Sequence, residues 1–82
     1  MALLFIRAVN AEFISRDEGA EYSSPEVALA HGVRSAATLV ADEIGNGRTS
    51  VAVEVCVEQE DGTALLRSIV SLSVAHLLLH KA

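Results

Sequence analysis

Apolar and polar residues follow two different rhythms along this chain, and the change of rhythm marks its elements. From Ser23 to Gly47, SSPEVALAHGVRSAATLVADEIGNG, apolar positions recur at helical spacing. Turning about 100° per residue from Ala28, the residues Leu29, Gly32, Val33, Ala36, Leu39, Val40 and Ile44 fall in one arc of roughly 160°. His31, Arg34, Ser35, Thr38 and Asp42 fall outside it. One apolar and one polar stripe describe a helix lying on a sheet. Ser23 or Ser24 supplies the N-cap, Pro25 sits where its missing N–H costs nothing, and Glu26 lies near the positive end of the helix dipole. With Ser23 as the cap, Glu26 completes a capping box. Gly45-Asn46-Gly47 provides the stop. Gly32 falls inside the apolar arc, although glycine there costs about 0.5–1 kcal/mol relative to alanine. Either the backbone passes close to the sheet at this point, or the position is a tolerated equivalent of alanine.

Elsewhere the rhythm is that of strands. Ala2 to Val9, ALLFIRAV, reads as a largely buried first strand, and Asn10-Ala11-Glu12 as a turn into a brief second strand around Phe13 and Ile14. Arg16 to Glu21 reads as an acidic loop containing Gly19, leading through Tyr22 to the helix cap. After the helix, Val51, Val53, Val55 and Val57 alternate with Ala52, Glu54, Cys56 and Glu58. The valine face is expected to meet the helix and the mixed face to be partly exposed. Gln59 to Thr63 is a hairpin loop built on Asp61-Gly62, and Ala64 to Ser73 returns as an antiparallel strand. Val74 to His80 prolongs that strand, forms a separate edge strand or turns into a short helix; its periodicity does not decide among them. The expectation is a single α+β domain over residues 1–82 with the order ββαββ, an antiparallel four-stranded sheet carrying one long helix on one face.

Composition adds a prediction about assembly. Apolar residues make up 51% of the chain, with two Phe, one Tyr and no Trp, so the core is aliphatic. That is more apolar surface than one helix–sheet interface buries in a domain of 82 residues. The expected consequence is self-association as a homodimer, with the apolar C-terminal stretch Val74 to Leu79, read as a strand, as the exposed edge. A formal net charge of −5, with six scattered basic residues, argues against a nucleic-acid partner. The single cysteine excludes an internal disulfide and fits a reducing compartment. Arg7 interrupts the apolar start too early for a signal peptide, and no run reaches membrane-spanning length, so a cytoplasmic location with no membrane contact is expected.

The run Arg16-Asp17-Glu18-Gly19-Ala20-Glu21, the helix with Glu26, Ala28, Arg34, Ala36 and Leu39, and the stretch Val55 to Val70 with its Glu60-Asp61-Gly62 turn resemble a family of short bacterial proteins. The family is common in rhizobia and other alphaproteobacteria and is catalogued only as a domain of unknown function. The similarity runs from about Phe5 to Leu72, although the aromatic cluster usual in the family's first strand is reduced to Phe5. What the resemblance implies is a fold; it brings no activity with it. The order of elements is also similar to that of small antitoxin domains of the HicB type, which pair a strand–strand–helix–strand unit with a toxin partner.

Candidate chemistry is sparse. His76 and His80 lie four apart, on one side of a helix but about 13 Å apart along a strand. Cys56 stands between Val55 and Val57 with Glu54 and Glu58 on its own face, which raises a thiol pKa and favours a structural role over a nucleophilic one. Asp17, Glu18 and Glu21 in one loop, and Glu58, Glu60 and Asp61 in the other, lack the spacing of a calcium loop and read as turn formers. Gly45-Asn46-Gly47-Arg48 follows a helix instead of preceding one, so it is a C-cap and not a phosphate loop. Arg34, Thr38 and Asp42 form either a solvated helix face or a docking surface. No catalytic, cofactor or metal residue is assigned. The reading is of a non-enzymatic interaction or assembly module, the alternative being an antitoxin-like regulator that binds a small protein partner.

Overall fold

The computed structural model describes residues 1–78. The chain runs β1 (Ala2–Val9), β2 (Ile14–Arg16), β3 (Ala20–Tyr22), α1 (Pro25–Gly45), β4 (Ser50–Glu58) and β5 (Ala64–Ser73). All strand pairs are antiparallel, in the order β2-β1-β4-β5, with β3 also paired to β1. The class is the α+β arrangement expected, with five strands in place of four. The additional strand arises where the sequence reads as an acidic loop. β2 pairs with residues 7–9 of β1 and β3 with residues 2–4, so the two are successive pieces of one edge strand. Between Arg7↔Arg16 and Leu4↔Ala20 the register slips by one residue, which is a β-bulge. Asp17 and Gly19 build it. Asp17 Oδ1 accepts from the N–H groups of Ile6 (2.9 Å) and Gly19 (3.0 Å), and Gly19 takes φ +85°, a left-handed conformation that suits glycine.

α1 begins at Ser24, whose side chain accepts from the N–H of Val27. Because Ser24 and not Ser23 is the cap, Glu26 stands at the wrong position for a capping box. At the other end, the N–H of Asn46 donates to Asp42 O, and Gly47 takes φ +100°. Ala28, Gly32, Ala36 and Val40 are buried against the sheet, as the apolar arc requires. An added Cβ on Gly32 would lie 2.7 Å from Val55 Cγ1 and 2.9 Å from Ile6 Cγ2. Close approach of helix and sheet is therefore the reason for glycine here.

Val53, Val55 and Val57 of β4 are fully buried beneath the helix and form the core with Leu4, Ala28, Ala36 and Val40. α1 packs mainly over β4 and β5 and touches β1 less. It therefore covers one half of its sheet face and leaves a groove over β1 and β2. Beyond β5, Val74 still donates to Thr49 O (2.7 Å), after which residues 75–78 form neither strand nor helix. Of the span Val74 to His80, Leu79 and His80 lie outside the described residues. No helix among them is long and apolar enough to cross a membrane.

Candidate functional site

On the sheet face away from α1, alternation places Phe5 and Arg7 of β1, Arg16 of β2, Glu54, Cys56 and Glu58 of β4, and Arg67 of β5. Register aligns Arg16, Arg7, Cys56 and Arg67 in one row across four strands. Glu58, expected to be partly exposed, is buried at 5% exposure. Arg16 Nε donates to its Oε1 at 3.1 Å, Arg7 Nη1 lies 3.7 Å from its Oε2, and both guanidinium stems roof the carboxylate. Arg16 also lies over the Phe5 ring at 4.1 Å and donates to the carbonyls of Gln59 and Glu60. It thus ties the bulged edge to the β4–β5 turn. Arg67 Nε pairs with Glu54 Oε1 at 3.1 Å. Cys56, beneath this layer, is also buried, and burial followed by the Glu58 charge pushes its thiol above the usual range, partly opposed by Arg67. A thiol held neutral is a poor nucleophile. The arginines answer the carboxylates on their own surface, and this face is a self-paired network.

The groove left uncovered by α1 has a volume of about 390 Å³. Ile6, Ala8 and Phe13 form its sheet side and Gly32, Ala36 and Leu39 its helix side, with Ser15, Asp17, His31 and Ser35 around the rim. His31 leans on Tyr22, ring centroids 6.1 Å apart. Neither the face nor the groove was legible as a site in the sequence, because their members come from segments far apart in the chain, from Phe5 to Arg67 on the face and from Ile6 to Leu39 in the groove.

The sequence-predicted candidates are dispersed. Asp17 holds the bulge, and Asp61 accepts from the N–H of Thr63 in the hairpin loop, which lowers its pKa. Arg48 follows the C-cap and pairs with Glu12 and Glu43, which raise its pKa, the hydrogen bond to Glu12 most. Arg34, Thr38 and Asp42 are exposed, and the Thr38 hydroxyl donates to Arg34 O. His76 is exposed, and its partner His80 is outside the described residues. Among the described residues, no three His, Cys, Asp or Glu side chains are grouped to hold a metal ion.

Residues 4–71 match a family described as Domain of unknown function (DUF6894). The chain belongs to this family. No curated protein and no solved structure matches it. The DUF6894 match takes in β2, β3, α1 and β4, nearly all of β1, and β5 to within two residues of its end; Val74 onward falls beyond it. The candidate surface in this DUF6894 domain is therefore set by the fold, at the edge where the sheet ends.

That edge is β5. Val74 donates to Thr49 O, and in an antiparallel ladder inward-bonding residues alternate with outward-facing ones. Leu66, Ser68, Val70 and Leu72 thus bond to β4, while the N–H and C=O groups of Arg67, Ile69, Ser71 and Ser73 point away from it. β5 is ten residues long and has no lysine or proline. Ile69 is 70% exposed, Leu72 41%, and the chain continues into exposed Leu77 and Leu78. The opposite edge is short and bulged. Of the two, β5 is the less protected: its one charge is Arg67 and its one irregularity lies at its start, opposite Val57 and Glu58.

Proposed function

We propose that this domain is a non-enzymatic assembly module that pairs with a second copy of itself through the β5 edge. The observation that carries the reading is the long ten-residue edge with exposed Ile69 and Leu72, set beside an opposite edge that is broken into three-residue pieces. A row of free backbone donors and acceptors is a template for another strand. A second β5 is self-complementary to it about a twofold axis. The apolar residues Val74, Leu77 and Leu78 lengthen the surface available to a partner. A buried, unreactive Cys56 suits a reducing, cytoplasmic setting.

Size-exclusion chromatography with light scattering tests the reading on the intact chain and on a chain ending at Ser73. The expected result is an intact dimer and a weakened or monomeric truncated form. A monomeric intact chain at tens of micromolar would overturn the proposal.

A further inference from the structure

We infer that the β5-paired dimer has a second contact layer, in which the two α1 helices lie side by side across the twofold axis and touch through Ala30, Val33, Ala37 and Ala41. The inference rests on β5 pairing and adds a surface to it. Antiparallel pairing of one strand with its own copy in a continuous sheet requires a twofold axis perpendicular to that sheet. Such an axis keeps each face on its own side, so both helices stand above the same face.

Their separation follows from the position of α1 within one chain. The helix packs on β4 and β5 together, so its axis lies roughly half a strand spacing inside β5. The twofold axis lies half a spacing outside it. With strands about 4.8 Å apart, the helix axes stand about 10 Å from one another. That is the ordinary distance between packed helices, which is about 8–10 Å. Pairing the strands thus places the helices in contact without any change in either chain.

The helix flanks decide what meets. His31, Ser35 and Leu39 border the groove on the β2 side. On the other side of the buried stripe, Leu29 and Leu66 both pack against the cluster of Leu4, Ala28 and Val57, and Ile44 and Val70 both pack against the cluster of Ala36, Val40, Val51, Val53 and Val55. Continuing round the helix in that direction come Val33, half-buried, and then Ala37, Ala30 and Ala41, all exposed. Over Ala30, Val33, Ala37 and Ala41 this flank carries no charge, with Glu26 at its N-terminal end and Arg34 at its border, and its short side chains allow close approach. Ala37 lies roughly midway along the helix between Leu29 and Ile44, which sets it over the middle of β5, between Leu66 and Val70. Ala37 therefore faces its own copy near the axis, where a long charged side chain on both helices has nowhere to go.

Sedimentation equilibrium on the full chain tests this with four proteins: wild type, Ala37→Arg, Thr38→Arg and Ser71→Pro. Ala37 and Thr38 are both exposed in the single chain, so circular dichroism should report an unchanged fold for either arginine variant. Ser71→Pro removes an outward N–H and leaves the bonds to β4 in place. The expected result is a dimeric wild type, an unchanged dimer for Thr38→Arg, and dissociation constants raised at least about tenfold for Ala37→Arg and Ser71→Pro. Should circular dichroism show Ala37→Arg misfolded, Ala41→Arg replaces it on the same flank. Weakening by Ser71→Pro without weakening by the helix variant overturns the helix layer and leaves β5 pairing standing. A dimer indifferent to Ser71→Pro, or a monomeric wild type, overturns both.

Discussion

At Gly32 a single hydrogen in place of a methyl group sets the distance between helix and sheet. An alanine there gains intrinsic helix propensity, but its Cβ meets Val55 and Ile6 at 2.7 and 2.9 Å, inside normal contact. β4 is the central support of the core and does not yield cheaply, so Gly32→Ala should lower stability by about 1–3 kcal/mol. Gly45 is the control: it belongs to the same helix, does not have positive φ, and a Cβ there meets nothing within 4 Å. Gly45→Ala should raise stability by about 0.5–1 kcal/mol. Urea unfolding of both variants checks the pair, and equal gains at the two sites would mean that the helix can lift from the sheet. Cys56 gives a second test at this scale. Its thiol pKa is raised by burial and by Glu58, so the neutral form is favoured in the folded chain. The resulting stability is complete below the ordinary thiol pKa and is lost as pH rises through it toward the folded value, because the unfolded chain deprotonates first. Unfolding free energies measured between pH 7 and pH 10 should fall less steeply in Cys56→Ala than in the wild type. The position of Gly32 was legible from the apolar arc alone. The burial of Glu58 was not, because alternation assigns it to the outer face and its cover comes from Arg7 and Arg16, distant in sequence.

Among the elements, α1, β4 and β5 were legible because each carries a sustained period and a marked end: Ser24 and Gly47 for the helix, and Asp61-Gly62 between the strands. β3 was not, since a three-residue strand shows no period and the preceding Asp17-Glu18-Gly19 reads as a loop by composition. Its pairing depends on one carboxylate oxygen. Asp17 Oδ1 takes the N–H of Ile6 in place of a backbone carbonyl at the break in the ladder, and also holds the N–H of Gly19. Asp17→Ala removes both hydrogen bonds and should cost about 1–2 kcal/mol. Asp17→Asn keeps an oxygen in the same place and should cost less. Amide hydrogen exchange localises the effect: Ile6 and the β3 amides should lose protection in Asp17→Ala while those of β4 keep theirs. Equal loss of protection throughout the sheet would show that the bulge is part of the global unfolding unit and not a local clasp.

For the whole molecule, the decisive asymmetry is between the two edges of one sheet. The β2–β3 edge is short, bulged and roofed by Arg16 stacked on Phe5. The β5 edge is long, regular along most of its length and bordered by exposed Ile69 and Leu72. An apolar excess was readable from composition, but the sequence put the exposed edge at Val74 to Leu79, whereas β5 ends at Ser73 and residues 75–78 form neither strand nor helix. What the sequence left open was which backbone groups are free, because that depends on the β4–β5 register, anchored by the Val74 to Thr49 bond. The register turns the assembly proposal into an alternating pattern. The amides of Leu66, Ser68, Val70 and Leu72 bond to β4 within one chain, so their hydrogen exchange should be slow at every protein concentration. The amides of Arg67, Ile69, Ser71 and Ser73 point outward, so they should exchange quickly in dilute solution and slow as concentration passes the dimer dissociation constant. An alternation that appears only on concentration is the signature of β5 meeting β5. Dimerisation through the groove beside Phe13 would instead leave the outward amides fast at all concentrations, and that result would move the interface to the other side of α1.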